Sequence, residues 1–394
     1  LDTKNRSKMA EETKQAEIQQ AEVSQLEKVR ASVGKLKAKQ SKFLFFIAST
    51  PNPAASIYEI YFHATTVKNM GYDVKILTDS TTYQVPEWIE KELTDLSHES
   101  MEQAKLTVGP EDILVIPDIF SNIMEQTKNL PAIRVTLLQS VDYAINGLMP
   151  GMQWNSFGIE KIITTNSNLK DVVEEFFSKN YDVKVYDPGI PDYFKSKGEL
   201  KRPVVSIVGR NPNEIAKIVK LFYAKYPQYS WITFDSMLTD SKPPQAMARK
   251  DYAERLKKNF AGVWVDRIAS FGTFPLECMS AGCIPIAVVP DLPPNYILDE
   301  EGNPLENTGV WTTDILAIPV LIGDIVTKFL DNTIGTEVID TMGEIASKYT
   351  QENATKQLQE IYQGLIDERI GVFERTIEAM EKSEDNLKEE VKQD

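Results

Sequence analysis

Apolar runs and helical periodicities alternate along most of the chain. Residues 43–49, 73–78, 113–117, 132–138, 161–165 and 183–186 are compact apolar stretches, the pattern of strands buried on both faces of a parallel sheet. Residues 57–70 are periodic enough for a helix ended by Gly71, and 88–106 and 166–177 predict two more. A second series follows, with strands at 203–208, 230–234, 263–265 and 284–289 and helices at 244–259, 315–330 and 338–366. Strand and helix in alternation predict an α/β chain with parallel sheets.

Both ends carry helical seams outside this series. Residues 1–42 are rich in Lys, Glu, Gln and Ala, with Leu26, Val29, Val33 and Leu36 at three-four spacing after a frayed opening. Beyond Ile366 the spacing continues through Ile370, Phe373, Ile377, Met380, Leu387 and Val391, broken at Glu384. A lone helix exposing such a stripe draws little stability from propensity. The terminal helices are therefore expected to pack as a coiled coil on each other, on a second copy or on a larger assembly.

Composition narrows the function classes. At 394 residues the chain accommodates two domains plus extensions, and 42% hydrophobic residues is ordinary for a globular protein. A net charge of -15 argues against a nucleic-acid partner, so an anionic ligand must meet a local cationic pocket. No apolar run has the length of a membrane span and no secretory signal opens the sequence, so a cytoplasmic location is expected. The opening at Leu1, not Met, leaves room for an upstream segment. Cys278 and Cys283, the only cysteines, fit no zinc spacing, and His63 and His98 leave no histidine cluster. No G-x-G-x-x-G follows a predicted strand, which weighs against a dinucleotide enzyme.

The stretch 260–290 concentrates the candidate chemistry. Val263, Trp264 and Val265 form a buried strand, Gly272 permits close backbone approach in the loop after it, and Pro275 suits the first turn of a helix that Gly282 ends. A loop opening into a helix at the carboxyl end of a parallel strand is where open α/β sheets hold anions. The segment from Ser270 through Phe271, Gly272, Thr273, Phe274 and Pro275 to Glu277, with Met279, Ala281, Gly282 and Pro285, resembles the donor-sugar motif of retaining GT-B glycosyltransferases (group 1, family 4-like). There a glutamate, a Gly-Phe-Gly-like loop and a second glutamate hold a nucleotide sugar. Glu277 matches the second glutamate, as the ribose ligand, and the position of the first is Ala269.

Other stretches extend the resemblance. The βαβ unit at 43–78 is similar to the first unit of a GT-B domain, with Ala54, Ala55 and Ser56 where the family carries loop glycines. Gln139 and Asp142 end a strand where relatives carry a histidine; a helix-capping role for Asp142 stands beside the acceptor-side one. Residues 187–194 resemble the linker that ends the first GT-B domain. Gly209 and Arg210 match a Gly-Arg pair that neutralises the donor diphosphate. The usual lysine positions are Ile215 and Ala216, with Lys217 the nearest substitute.

The resemblance implies a GT-B fold: a helical extension at 1–42, Rossmann-like domains at 43–195 (acceptor side) and 196–336 (nucleotide sugar), a crossing helix at 337–366 and a helical tail at 367–394. It implies a hexosyltransferase-like glycosyltransferase acting with retention and without metal or cofactor on a nucleotide-sugar donor, its acceptor an unknown glycan or protein. Arg210, Lys217 and Arg267 would meet the leaving diphosphate. Gly209, Arg210, Ser270, Phe271, Gly272, Thr273, Phe274 and Glu277 would bind the donor, and Ala54, Ala55, Ser56, Gln139 and Asp142 would face the acceptor. The alternative, from another class, is a catalytically degenerate GT-B body serving as a structural or binding component of an assembly.

Overall fold

Two parallel sheets, one in each half of the chain, organise the protein. The computed structural model describes residues 20–21, 23–49, 53–102, 107–236, 247–268, 271–299 and 301–390, with side chains as far as 383. The first sheet holds β1 (Lys42–Ile47), β2 (Asp73–Thr78), β3 (Ser97–Ser100), β4 (Ile113–Pro117), β5 (Ile133–Leu138), β6 (Lys161–Thr164) and β7 (Asp182–Val185), in the order β3-β2-β1-β4-β5-β6-β7. Its central strand shows why the run is uniformly apolar. Phe43, Phe45 and Ile47 enter the core on one face, Leu44 and Phe46 the core on the other. Around it lie α1 (residues 23–37), α2 (Ala55–Asn69), α3 (Lys91–Thr94), α4 (Ser121–Thr127), α5 (Val141–Gly147) and α6 (Ser167–Val172).

The second sheet runs β12-β11-β10-β8-β9, from β8 (Arg202–Gly209), β9 (Thr233–Ser236), β10 (Asn259–Val265), β11 (Ile284–Val288) and β12 (Val310–Thr312). Its helices are α7 (Pro212–Lys225), α8 (Arg249–Leu256), α9 (Thr273–Ser280), α10 (Ile318–Leu330) and α11 (Thr336–Ala346). Strand order reverses between β1 and β4 in the first sheet and between β8 and β10 in the second. Such switch points open crevices at the carboxyl ends of the strands. The α/β architecture with two Rossmann-like domains is as expected.

The chain crosses between the domains twice, side by side. Ile190, on the way out, forms a parallel bridge with Thr350, on the way back, and its amide donates to the Tyr349 carbonyl at 2.8 Å. From there α12 (Gln351–Glu390) lies along the first domain. Ala354, Leu358, Tyr362, Leu365 and Ile366 are buried in the same core as Phe43 and Phe45. The Tyr362 hydroxyl and His63 Nδ1 share a hydrogen bond of 2.8 Å, and burial lowers the His63 pKa to about 3. His63 is thus a neutral core residue.

The terminal seams meet inside one chain. Leu26, Val33 and Leu36 of α1 are buried, and Val29, Ile370 and Ile377 pack against the same core as Val33 and Leu36. Lys37 pairs with Glu374 of α12 at 2.7 Å, and Arg30 pairs with Glu381. Among the described residues the two terminal helices thus pack on each other, one of the expected arrangements. Leu387 and Val391 fall outside the described side chains, as the expected frayed opening falls outside the described residues. No helix among the described residues is long and apolar enough to cross a membrane.

Several elements differ from the sequence expectation. In place of the helix expected at 88–106, the described residues hold the short α3 and β3, an edge strand paired only with β2, and 103–106 lie outside the described residues. One partner strand suffices for Ser97–Ser100, so the strand carries no apolar signature; Lys75 of β2 pairs with its Glu99. The helix at 338–366 is two helices parted at 347–350 where the chain crosses back, and α12 then runs without a break past 366. The helix at 244–259 is described only as α8, since Asn259 already begins β10 and 237–246 lie outside the described residues. The strand expected at 230–234 sits later, as β9, after a turn at Pro227–Tyr229.

Candidate functional site

The second switch point is built first by close approach of two backbones. Gly209 ends β8 beside Val265 of β10, and a side chain there would meet the Val265 carbonyl at 2.6 Å. The residues that follow each strand end, Arg210 and Asp266, pair at 2.8 Å from Nε to Oδ2. Burial opposes the Arg210 charge, but Asp266 and the hydroxyl of Tyr143 more than offset it and raise its pKa. Tyr143 belongs to α5 of the first domain; it accepts a hydrogen bond from Arg210, and the guanidinium lies 5.3 Å from its ring centroid. Arg267, next in sequence, is exposed, as is Lys217 on α7.

The loop after β10 is held from below. Gly272 adopts φ 68° at the start of α9, and a Cβ there would lie 2.2 Å from the Trp264 ring. Tyr296 donates its hydroxyl to the Gly272 carbonyl. Phe271 packs on Tyr296 and Tyr349 at centroid separations of 5.4 and 5.8 Å, and Phe274 is buried beside Tyr252. The aromatic side chains of the motif therefore serve the core, while the N-cap residue of α9, Gly272, has no side chain with which to cap its amides. Ser270 and Ala269 lie outside the described residues.

Glu277 is drawn inward. Its Oε1 accepts from Arg249 Nη2 at 2.6 Å, with the two side chains only 8% and 9% exposed. The Arg249 guanidinium stacks on Tyr58 of α2, 3.7 Å from its centroid, and its backbone amide donates to the Trp88 carbonyl at 3.0 Å. The buried ion pair thus stands at the contact between the domains. Gln351 Nε2 donates to the Tyr58 hydroxyl at 2.8 Å from the returning crossover.

Across the cleft, α2 is preceded by Ala54, whose φ and ψ are extended and which offers no side-chain cap; Ala55 is exposed and Ser56 half-buried. Gln139 Nε2 donates to the Ser56 carbonyl at 3.0 Å, tying the end of β5 to this helix start. The cap of α5 is Ser140, which accepts from the Tyr143 amide at 3.2 Å, so Asp142 is an exposed first-turn residue and not the cap. The loop at 292–296 reaches over to the first domain. Asn168 donates to the Pro293 carbonyl at 2.8 Å, and Asn295 bonds Ser167.

Asp118, one residue past β4, was not singled out by the sequence, although an acid following a buried strand at a sheet's carboxyl edge is a usable signal. It is fully buried, and its Oδ2 accepts from the amides of Gln139 and Ser140 at 3.0 and 3.2 Å. Burial pushes its pKa from 3.8 up to about 7, against the pull of those amides. A carboxyl raised on folding stabilises fully below its unfolded pKa, and that contribution is lost as pH rises through the folded one. Asp118→Asn removes this slope. Its stability relative to the parent should rise by roughly 2–4 kcal/mol between about pH 4 and pH 7, read by urea unfolding. Parallel pH profiles for the two proteins would refute this.

No family model matches the chain, and no curated protein matches it by sequence. Solved structures do match in shape. Anabaena HepE with UDP and glucose superposes with a TM-score of 0.58 at 12% identity, over 82% of this chain and 100% of that one. Sucrose-phosphate synthase from Thermosynechococcus elongatus gives 0.56 at 12%, over 83% and 100%. The pneumococcal O-GlcNAc transferase GtfA in complex with UDP and GlcNAc gives 0.55 at 9%, over 84% and 99%. The fold is GT-B.

This GT-B chain brings Gly209, Arg210, Asp266 and Arg267 together at one switch point. Gln139, Ser140 and Asp118 gather at the carboxyl edge of the first sheet, and Tyr143 joins the two edges. Arg249, Tyr58 and Asp266 were missed because each acquires its partner only through folding. Arg249 lies 28 residues from Glu277, too far for any local spacing rule. Among the described residues no group of three His, Cys, Asp or Glu side chains could hold a metal ion.

Proposed function

We propose that this protein is a glycosyltransferase that moves a sugar from a nucleotide diphosphate to an acceptor glycan or protein, with retention and without a metal. The observation that carries the reading is the guanidinium of Arg210 at the switch point of the second GT-B sheet. A planar fork suits a diphosphate because it bonds two oxygens at once. Negative charge grows on the leaving diphosphate as the anomeric bond breaks, and fixed cations and amides there lower the barrier. Arg210 would supply the charge, with Arg267 and Lys217 as further cations and the amides of Gly272, Thr273 and Phe274 as donors. Glu277 would take the ribose hydroxyls while its Oε1 stays held by Arg249. Ala54, Ala55, Ser56, Gln139 and Asp142 would face the acceptor.

The similar structures bound to UDP support trying uridine donors first. Calorimetry with UDP, GDP, ADP and CMP should find one nucleotide that binds, and Arg210→Ala should weaken it by about 1.5–3 kcal/mol, the range for a charge-assisted hydrogen bond. Thermal stabilisation by that nucleotide should fall in parallel. Absence of any nucleotide-induced shift would point instead to the degenerate body that binds no donor. Unchanged affinity in Arg210→Ala would remove the diphosphate assignment.

A further inference from the structure

A cavity of about 670 Å³ opens in the second domain at the edge opposite the candidate donor site. Phe260 and Ile284, at the amino ends of β10 and β11, line it, whereas Arg210 and Asp266 follow the carboxyl ends of β8 and β10. Both crossovers contribute, through Ile190 and Thr350. The volume falls within the ~300–1,000 Å³ of ordinary small-molecule sites.

The lining has two parts. Phe329, Ile334, Ile339 and Tyr349 add apolar surface, and Ile339 remains 40% exposed although it borders a concave wall. Its charged part is partly committed. Glu199 accepts from Ser196 Oγ at 2.7 Å and the Lys197 amide at 2.9 Å, and Lys201 Nζ donates to the carbonyls of Lys257 and Ala281 at 2.8 and 2.7 Å. The exposed Lys195 and Lys328 remain against a single exposed carboxylate, Asp192. A local positive balance beside an apolar hollow, on a chain of net charge -15, has a definite complement.

We infer that this cavity is a second ligand site, which takes a small amphiphile with an apolar body and a single anionic group. The apolar body fills the hollow over Ile339 and Phe329, and the anion meets Lys195 and Lys328. Covering exposed apolar surface supplies affinity and the lysines select charge. None of its lining residues belongs to the donor or acceptor sets, although Met279 and Gly282 lie in the same sequence motif and Tyr349 packs on Phe271.

Fluorescence titration of the full chain tests this with 8-anilinonaphthalene-1-sulfonate, which is anionic, and with N-phenyl-1-naphthylamine, its neutral counterpart. Gly343 of α11 borders the cavity, and a Cβ built there meets nothing within 4 Å. Gly343→Leu therefore adds bulk at the cavity rim without a clash at its Cβ, and because leucine is the better helix former the fold should be retained. The sulfonate should bind at one saturable site, and Gly343→Leu should weaken it about ten-fold or more, the loss of about 1.4 kcal/mol. Ile339→Glu, at a side chain already on the surface, should do the same should Gly343→Leu unfold. Lys195→Glu with Lys328→Glu should weaken the sulfonate and leave the neutral probe unchanged. Binding that survives both cavity variants, or lysine variants that weaken both probes alike, would overturn the proposal and mark adventitious apolar binding.

Discussion

Arg249→Ala should cost about 3–5 kcal/mol of folding stability, because it strands the buried carboxylate of Glu277 without its partner. The two side chains are nine-tenths buried, so water cannot replace the guanidinium. Its stacking on Tyr58 makes the loss an interdomain one as well, and the urea-unfolding transition should broaden as the domains uncouple. A double-mutant cycle separates the charge from the packing. Arg249→Met with Glu277→Gln keeps the volume and removes both charges, so it should recover most of the loss. Strict additivity of the two substitutions would show that the pair does not act as one unit.

Gly272→Ala should be the second most damaging substitution. The backbone there has φ 68°, which costs an L-residue about 1–2 kcal/mol, and the new methyl would stand 2.2 Å from the Trp264 ring. Overpacking of that kind adds about 1–3 kcal/mol. The midpoint of unfolding should drop accordingly, and the near-ultraviolet signal of Trp264 should change as its ring is displaced. Since the Gly272 carbonyl also anchors Tyr296, nucleotide binding should weaken with it. A variant with parental stability and unaltered aromatic signal would show that the loop can relax without Trp264 moving.

What could be read in the sequence follows the range of the forces involved. Strands such as β1, β2 and β4 are buried on both faces, so their runs declare themselves, and Gly272 and Gly282 mark the two ends of α9 through local backbone demands. β3 stayed hidden because an edge strand borrows its order from β2 and needs little apolar surface of its own. The break between α11 and α12 stayed hidden because residues on both sides are good helix formers; the interruption is imposed by the pairing of Thr350 with Ile190. Site chemistry divides in the same way. Arg210 and Glu277 were visible in local motifs, but that Arg249 holds Glu277 while Tyr143 meets Arg210 depends on the docking of two domains. Asp118 was visible only as an acid after a strand, and its shifted proton affinity is a product of burial.

The way α12 completes the first domain bears on the order in which the chain can fold during synthesis. Tyr362, Leu358 and Ala354 are wholly buried against β1 and α2, yet they are made about 300 residues after them. The second domain, by contrast, is contiguous from β8 to α11, and all its strand pairings lie within that span. On a ribosome the later-made domain can therefore mature while the earlier one still waits with Phe43, Phe45 and His63 uncovered. Domains usually fold as units and in order of emergence, and distant pairings pay loop closure first. An inverted order is expected here, and the face of β1 that α12 covers is the surface that would stay exposed until that helix is made.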